Sequence, residues 1–158
     1  IHLILMENIH QAAIELVFQN YDLKGSSFDR KVSVSSMSTI PPRLVLKDRN
    51  FDEIEKTISI NQEDHRRFEI ELGRDLQFLL SQNVMDYSIT LEKVATVQEP
   101  SDDPRLFRGR ESVSYCMGVI DFGQRWNMKK KMENFAKKWF RGGRHQEISS
   151  VNPIDYAR

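Results

Sequence analysis

The sequence has 158 residues, 39% of them hydrophobic, enough for one modest domain with a core of its own. A single cysteine excludes an internal disulfide, four histidines without ligand-like spacing argue against a zinc site, and no apolar run approaches the roughly 20 residues of a membrane-spanning helix. The formal charge is zero, yet residues 124–144 hold eight basic side chains against Glu133 alone. That segment is +7 and the remainder −7, an asymmetry that suits an anionic partner such as a phosphate, a nucleic acid or a lipid surface.

In chain order, Ile1–Met6 reads as a short buried strand. It lacks the basic flank and cleavage site of a signal peptide, and a start without methionine fits a fragment boundary. Asn8-Ile9 turns the chain out of that strand. Ile14–Lys31 suggests a hairpin, with Leu16-Val17-Phe18 going out and Lys31-Val32-Ser33-Val34 returning. Ser33–Pro42 is a Ser- and Thr-rich loop closed by two prolines.

Asn61-Gln62-Glu63-Asp64 is a helix start, with a capping asparagine and acids in the first turn. Phe68, Leu72, Leu76, Leu79 and Leu80 carry a core-facing stripe to about Gln82. Met85–Val94 reads as a strand, Glu99–Arg110 with its two prolines as an exposed loop, and Ser112–Phe122 as the strongest strand. Cys116 lies inside that strand, where burial as a reduced thiol fits a cytosolic protein. Asn127–Phe140 is an amphipathic helix stopped by Gly142-Gly143, and Pro153 opens another short one. The sum is one α+β domain of short strands packed with helices.

Three aspartates stand out: Asp22 before Leu-Lys-Gly-Ser, Asp86 directly after the long helix, and Asp121 at the end of the best strand. A carboxylate held in apolar surroundings is costly unless something such as a magnesium ion compensates it. Taken singly, each is better read as the cap of a turn. Asp121-Phe122-Gly123 spells the magnesium-binding triplet of protein kinases, but His65-Arg66-Arg67 lacks the catalytic aspartate and no Ala-Pro-Glu follows. An ordinary protein kinase is disfavoured.

The ordered set is more specific. Tyr21-Asp22-Leu23-Lys24-Gly25-Ser26, Val84-Met85-Asp86-Tyr87-Ser88 and Gly118-Val119-Ile120-Asp121-Phe122 are followed by Gln124 with Lys130-Lys131-Met132-Glu133, and then by Ile148–Pro153 closing on Tyr156-Ala157-Arg158. In that order they resemble the phosphatidylinositol phosphate kinase family, from residue 1 nearly to 158.

The resemblance implies the C-lobe of a lipid-kinase fold related to protein kinases, with short antiparallel strands. Residues 1–158 would form a single partial domain, hinge and C-lobe, with the N-lobe and its glycine-rich loop outside it, so the fragment alone is expected to be inactive. ATP and Mg2+ are the implied cofactors. Asp86 would orient or deprotonate the attacking inositol hydroxyl, Asp121 would hold magnesium, and Lys24 would contact phosphate, with Gly25 allowing close backbone approach. Asn8 and Ile9 fall where the hinge meets adenine. Lys130 and Lys131 would lie near the phosphoinositide headgroup, on a cytoplasmic protein peripheral to the cytosolic face of a membrane.

The expected reaction converts a monophosphorylated phosphatidylinositol to a bisphosphate, with the 4-phosphate the favoured substrate. The alternative is a non-catalytic phosphoinositide-binding homologue. A nucleic-acid partner is not expected, because the basic helix lacks an aromatic stacking platform, whereas a homodimer is admitted. Two departures from the family pattern are Thr90, in place of a leucine at a packing position, and Gly123, in place of a larger residue.

Overall fold

A computed structural model describes residues 17–34, 44–96, 103–109, 112–123 and 126. The elements run β1 (Val17–Leu23), β2 (Val45–Lys47), α1 (Asp48–Ile54), α2 (Gln62–Ser81), β3 (Ser88–Ala95), β4 (Leu106–Arg108) and β5 (Val113–Ile120). The strands form one sheet in the order β2-β1-β3-β5-β4. The α+β class is as expected. The expectation of antiparallel strands alone is corrected, because β1 and β2 run parallel while the other three pairs are antiparallel.

Alternation along the strands decides where the core sits. Leu46, Tyr21, Leu91 and Met117 face one another in register across β2, β1, β3 and β5, and Tyr115 faces Phe107 on β4. All six are buried and form the main core. Residues one position along, Asn20, Glu92 and Cys116, share a register row on the opposite face and are also buried. Helix α1 brings Phe51 edge-on to Tyr21, and α2 brings Phe68 edge-on to Phe107, each pair with centroids 5.4 Å apart.

The long predicted helix forms as its sequence dictates. Asn61 caps it, its side-chain oxygen accepting the Asp64 N–H at 2.8 Å. Asp64 in turn accepts from Arg67 and from the Arg108 N–H of β4, while the Arg67 guanidinium lies 4.7 Å from the Phe107 ring centroid. These contacts fasten the start of α2 to the sheet edge.

The predicted hairpin over Ile14–Lys31 does not form: the neighbours of β1 are β2 and β3, and Lys31–Val34 is not a strand. The buried Asn50 of α1 replaces the strand partner. Its Oδ1 accepts the Val32 N–H at 2.8 Å and its Nδ2 donates to the Val32 carbonyl at 2.9 Å. The loop expected over Glu99–Arg110 is likewise corrected in part, since Leu106–Arg108 pairs with β5 and buries Phe107. The predicted strand Ile1–Met6 and the helices at Asn127–Phe140 and from Pro153 lie outside the described residues.

Gly109 shows how tightly this edge is packed. A Cβ there would stand 2.7 Å from the Val113 carbonyl oxygen and 2.8 Å from Tyr115 Cε2. The first is backbone, fixed by the 2.9 Å bond it accepts from the Gly109 N–H. Gly109→Ala is expected to cost about 1–3 kcal/mol, read as a lowered denaturant midpoint with an unchanged slope.

The buried ionisable groups set an alkaline limit. Burial, with the negative charges of Glu92 and Asp103, pushes the Cys116 thiol from 9.0 up to about 11. Burial also raises Tyr21, Tyr87 and Tyr115. The unfolded chain ionises at the lower, ordinary values, so these groups leave stability intact below pH 9 and diminish it as pH rises toward 11 and beyond. A pH series of unfolding midpoints should show that decline, and Cys116→Ala should remove its earliest part.

Candidate active site

The end of α2 begins the site. Asn83 takes the left-handed backbone, φ 52°, that closes many helices. The Val84 N–H reaches the Leu79 carbonyl at 2.9 Å and the Asn83 N–H reaches that of Leu80 at 3.0 Å, the paired bonds of a Schellman stop. The hydrophobic contact that accompanies such a stop is present: Leu79 and Val84 cluster with Tyr87, Leu76 and Val119 of β5. The turn between α2 and β3 is therefore bolted to the strand that ends in Asp121.

Asp86 sits inside that turn. Val84, Met85, Tyr87 and Ser88 around it are buried, Met85 completely, while the Asp86 side chain keeps 29% of its surface exposed. Its φ is 63°, and Asp121 at the end of β5 has φ 60°. Two aspartates in the sparsely populated left-handed region at one end of one sheet form the kind of strained cluster found at functional sites.

Register brings the third residue in. Leu23 at the end of β1 faces Ile89, and Ser88 at the start of β3 faces Ile120. Lys24, Asp86 and Asp121 therefore emerge at the same end of the sheet. The Lys24 ammonium donates to Asp86 Oδ1 at 3.1 Å and to the Asp86 carbonyl at 3.2 Å. The Ser88 hydroxyl points at Asp121 Oδ2 across 3.5 Å.

The other candidate residues have different surroundings. Asp121 is exposed, so its carboxylate is not held in apolar surroundings. Asp22 is committed to Arg30, with its Oδ2 3.1 Å from the guanidinium, and belongs to the scaffold. Gly25 adopts φ +66°, but its N–H points at Asp48 Oδ1 at 2.8 Å, so this amide serves an internal carboxylate. Thr90 is buried between Asp22 and Gly118, a packing position as expected, and a Cβ at Gly123 would meet nothing within 4 Å. Asn8, Ile9, Lys130 and Lys131 lie outside the described residues.

Asp48 and Arg30 stand in no motif of the sequence, and Ser88 stands in one without an assigned role. An acid directly before Arg49-Asn50-Phe51 is a helix-start signal, which points to Asp48 only once a helix is assigned there.

The family model described as Phosphatidylinositol-4-phosphate 5-Kinase matches residues 1–105 and 92–158. The chain belongs to that family.

Similar members are phosphatidylinositol 5-phosphate 4-kinase type-2 gamma of Mus musculus, 32% identical across 99% of this chain and 50% of its own length, and the Danio rerio protein of the same name, 26% identical across 99% and 51%. The phosphatidylinositol 4-phosphate 5-kinase of Plasmodium falciparum (isolate 3D7) is 26% identical across 100% of this chain and 11% of its own length. The chain spans about half the length of the vertebrate relatives. The five ordered motifs thus identified the family correctly, and in this member three of them converge at one end of the sheet.

Proposed function

We propose that the intact protein is an ATP-dependent lipid kinase that phosphorylates a free inositol hydroxyl of a phosphatidylinositol monophosphate. The observation that carries this reading is the convergence of Lys24, Asp86 and Asp121 in a chain of this family. Phosphoryl transfer is mainly positioning and charge stabilisation, so few groups suffice.

Each group has a task suited to its surroundings. Asp86, half-buried and rigidly mounted, accepts the proton of the attacking hydroxyl and aims its oxygen. Lys24, 3.1 Å from that carboxylate, supplies positive charge where the phosphoryl group arrives. Asp121 is exposed, as a ligand for a hydrated cation must be. Among the described residues no three His, Cys, Asp or Glu side chains gather as a metal cage. An exposed carboxylate fits Mg2+, which binds through one or two carboxylates together with waters and substrate phosphates. Magnesium bound there would offset charge on the nucleotide phosphates.

Residues 1–158 are then the hinge and C-lobe portion of a catalytic domain related to protein kinases, with Asn8 and Ile9 at the adenine. The basic segment around Lys130 and Lys131 faces an anionic bilayer, each Lys or Arg near the surface contributing about 1 kcal/mol. This makes the protein peripheral at a cytosolic membrane surface. The vertebrate relatives are named for a 5-phosphate substrate and the Plasmodium one for a 4-phosphate, so a test must offer both.

The test incubates the intact protein with labelled ATP, magnesium and vesicles carrying phosphatidylinositol 4-phosphate or 5-phosphate. Magnesium-dependent labelled bisphosphate is expected, with the better substrate naming the isomer. No labelled lipid from either, with vesicle binding retained, would move the assignment to a phosphoinositide-binding homologue.

A further inference from the structure

Lys24 is the last link of a network that starts some 20 residues away in sequence. Asp48, the first residue of α1, is buried and turns its carboxylate toward the loop after β1. Its Oδ1 accepts the backbone N–H of Lys24 at 2.9 Å and of Gly25 at 2.8 Å, with the Ser26 N–H at 3.4 Å. Its Oδ2 accepts from Arg30 Nε at 2.7 Å. Arg30 in turn reaches the Asp22 carboxylate at 3.1 Å and the Asp22 carbonyl at the end of β1.

Consecutive amides turned inward on one carboxylate form a nest that grips an anion. Here the anion is part of the protein, so the loop is shaped without a ligand. Gly25, at φ +66°, supplies the backbone turn that lets neighbouring amides converge. The far side of the same loop carries the Lys24 ammonium onto Asp86. Asp48 and Arg30 have side chains only 11% exposed.

We propose that Asp48, braced by Arg30, is a positioning residue that fixes the Lys24 loop and thereby holds the ammonium against Asp86. The inference rests on the kinase reading above. Its content is a division of labour: Lys24 acts on the reacting groups, and Asp48 acts only through Lys24. Misplacing a catalytic group by about 1 Å lowers rates on the order of 100-fold, so a carboxylate that never meets substrate can still govern the rate.

The test uses the intact protein as wild type, Asp48→Asn, Arg30→Gln and Lys24→Ala, with Lys24→Ala also combined with each of the other two. Asp48→Asn is expected to lower kcat on the order of 10- to 100-fold with lipid KM within about twofold. On the Lys24→Ala background the same change should lower kcat less than about twofold, because nothing remains to be positioned. Amide hydrogen exchange of Lys24, Gly25 and Ser26 should quicken while β3 and β5 stay protected.

An equal loss on both backgrounds would overturn the proposal by showing a general stability role. So would loosened loop amides with kcat unchanged, and that result would leave the kinase reading standing. If Asp48→Asn also loses protection in β3 and β5, Arg30→Gln decides, since it keeps the Asp48–amide bonds and removes the guanidinium that joins Asp48 to Asp22. A kcat loss that vanishes on the Lys24→Ala background supports the proposal, and an equal loss on both backgrounds overturns it. Absence of bisphosphate product from the wild type with either monophosphate would remove the kinase reading, and this inference with it.

Discussion

Asp86→Asn in the intact protein is expected to lower kcat for lipid phosphorylation on the order of 10²–10⁴-fold, the range associated with a positioned general base. The substitution removes charge and basicity while preserving shape. Asn is among the few side chains that tolerate a φ of 63°, so the backbone of the turn should survive. The buried anchors Met85, Tyr87 and Ser88 are untouched, and Lys24 keeps the Asp86 carbonyl at 3.2 Å as an acceptor. The thermal midpoint and nucleotide affinity should therefore stay near the wild-type values while turnover collapses. A kcat within about twofold of wild type would remove Asp86 from the chemistry.

Asp121→Asn should act on a different quantity, the magnesium requirement. Its carboxylate is exposed, and its one hydrogen-bond partner among the described residues is the Ser88 hydroxyl, at 3.5 Å. The side chain therefore does little for stability. Its φ of 60° again suits Asn. Metal stabilisation of phosphoryl oxygens is worth several kcal/mol, and each 1.36 kcal/mol is tenfold in rate. A magnesium titration at fixed ATP should show half-saturation displaced upward and maximal turnover lowered on the order of 100-fold or more. An unchanged titration curve would assign the metal elsewhere.

The legible part of the fold was the part whose signals are local. Helix α2 announced itself through the Asn61 cap and the spacing of Phe68, Leu76 and Leu79, and all four do in the structure what that pattern implies. Strands β3 and β5, eight residues each, were legible, β5 through its apolar stretch at Cys116–Ile120. The three-residue strands β2 and β4 were not, since neither is long enough to show a period. The hairpin was misassigned because Asn50, a side chain 18 residues away, supplies the bonds that a returning strand would have made.

The site divides along the same line. Asp86, Asp121 and Lys24 were found because they stand in motifs, but their convergence depends on strand register, which the sequence does not display. Asp48 left no mark, because its importance lies in amides more than 20 residues distant. A strand can be buried along its length and still end in solvent, and Asp121 is the residue where this one does.

The most direct measurement is an experimental structure of the intact protein with Mg2+, a non-hydrolysable ATP analogue and a soluble phosphoinositide headgroup. A metal about 2.0–2.1 Å from an Asp121 carboxylate oxygen is expected. The terminal phosphate should lie beside Lys24 and an inositol hydroxyl within hydrogen-bond reach of Asp86. A nucleotide bound with its phosphates remote from all three residues would contradict the claim that this end of the sheet is where phosphate is transferred.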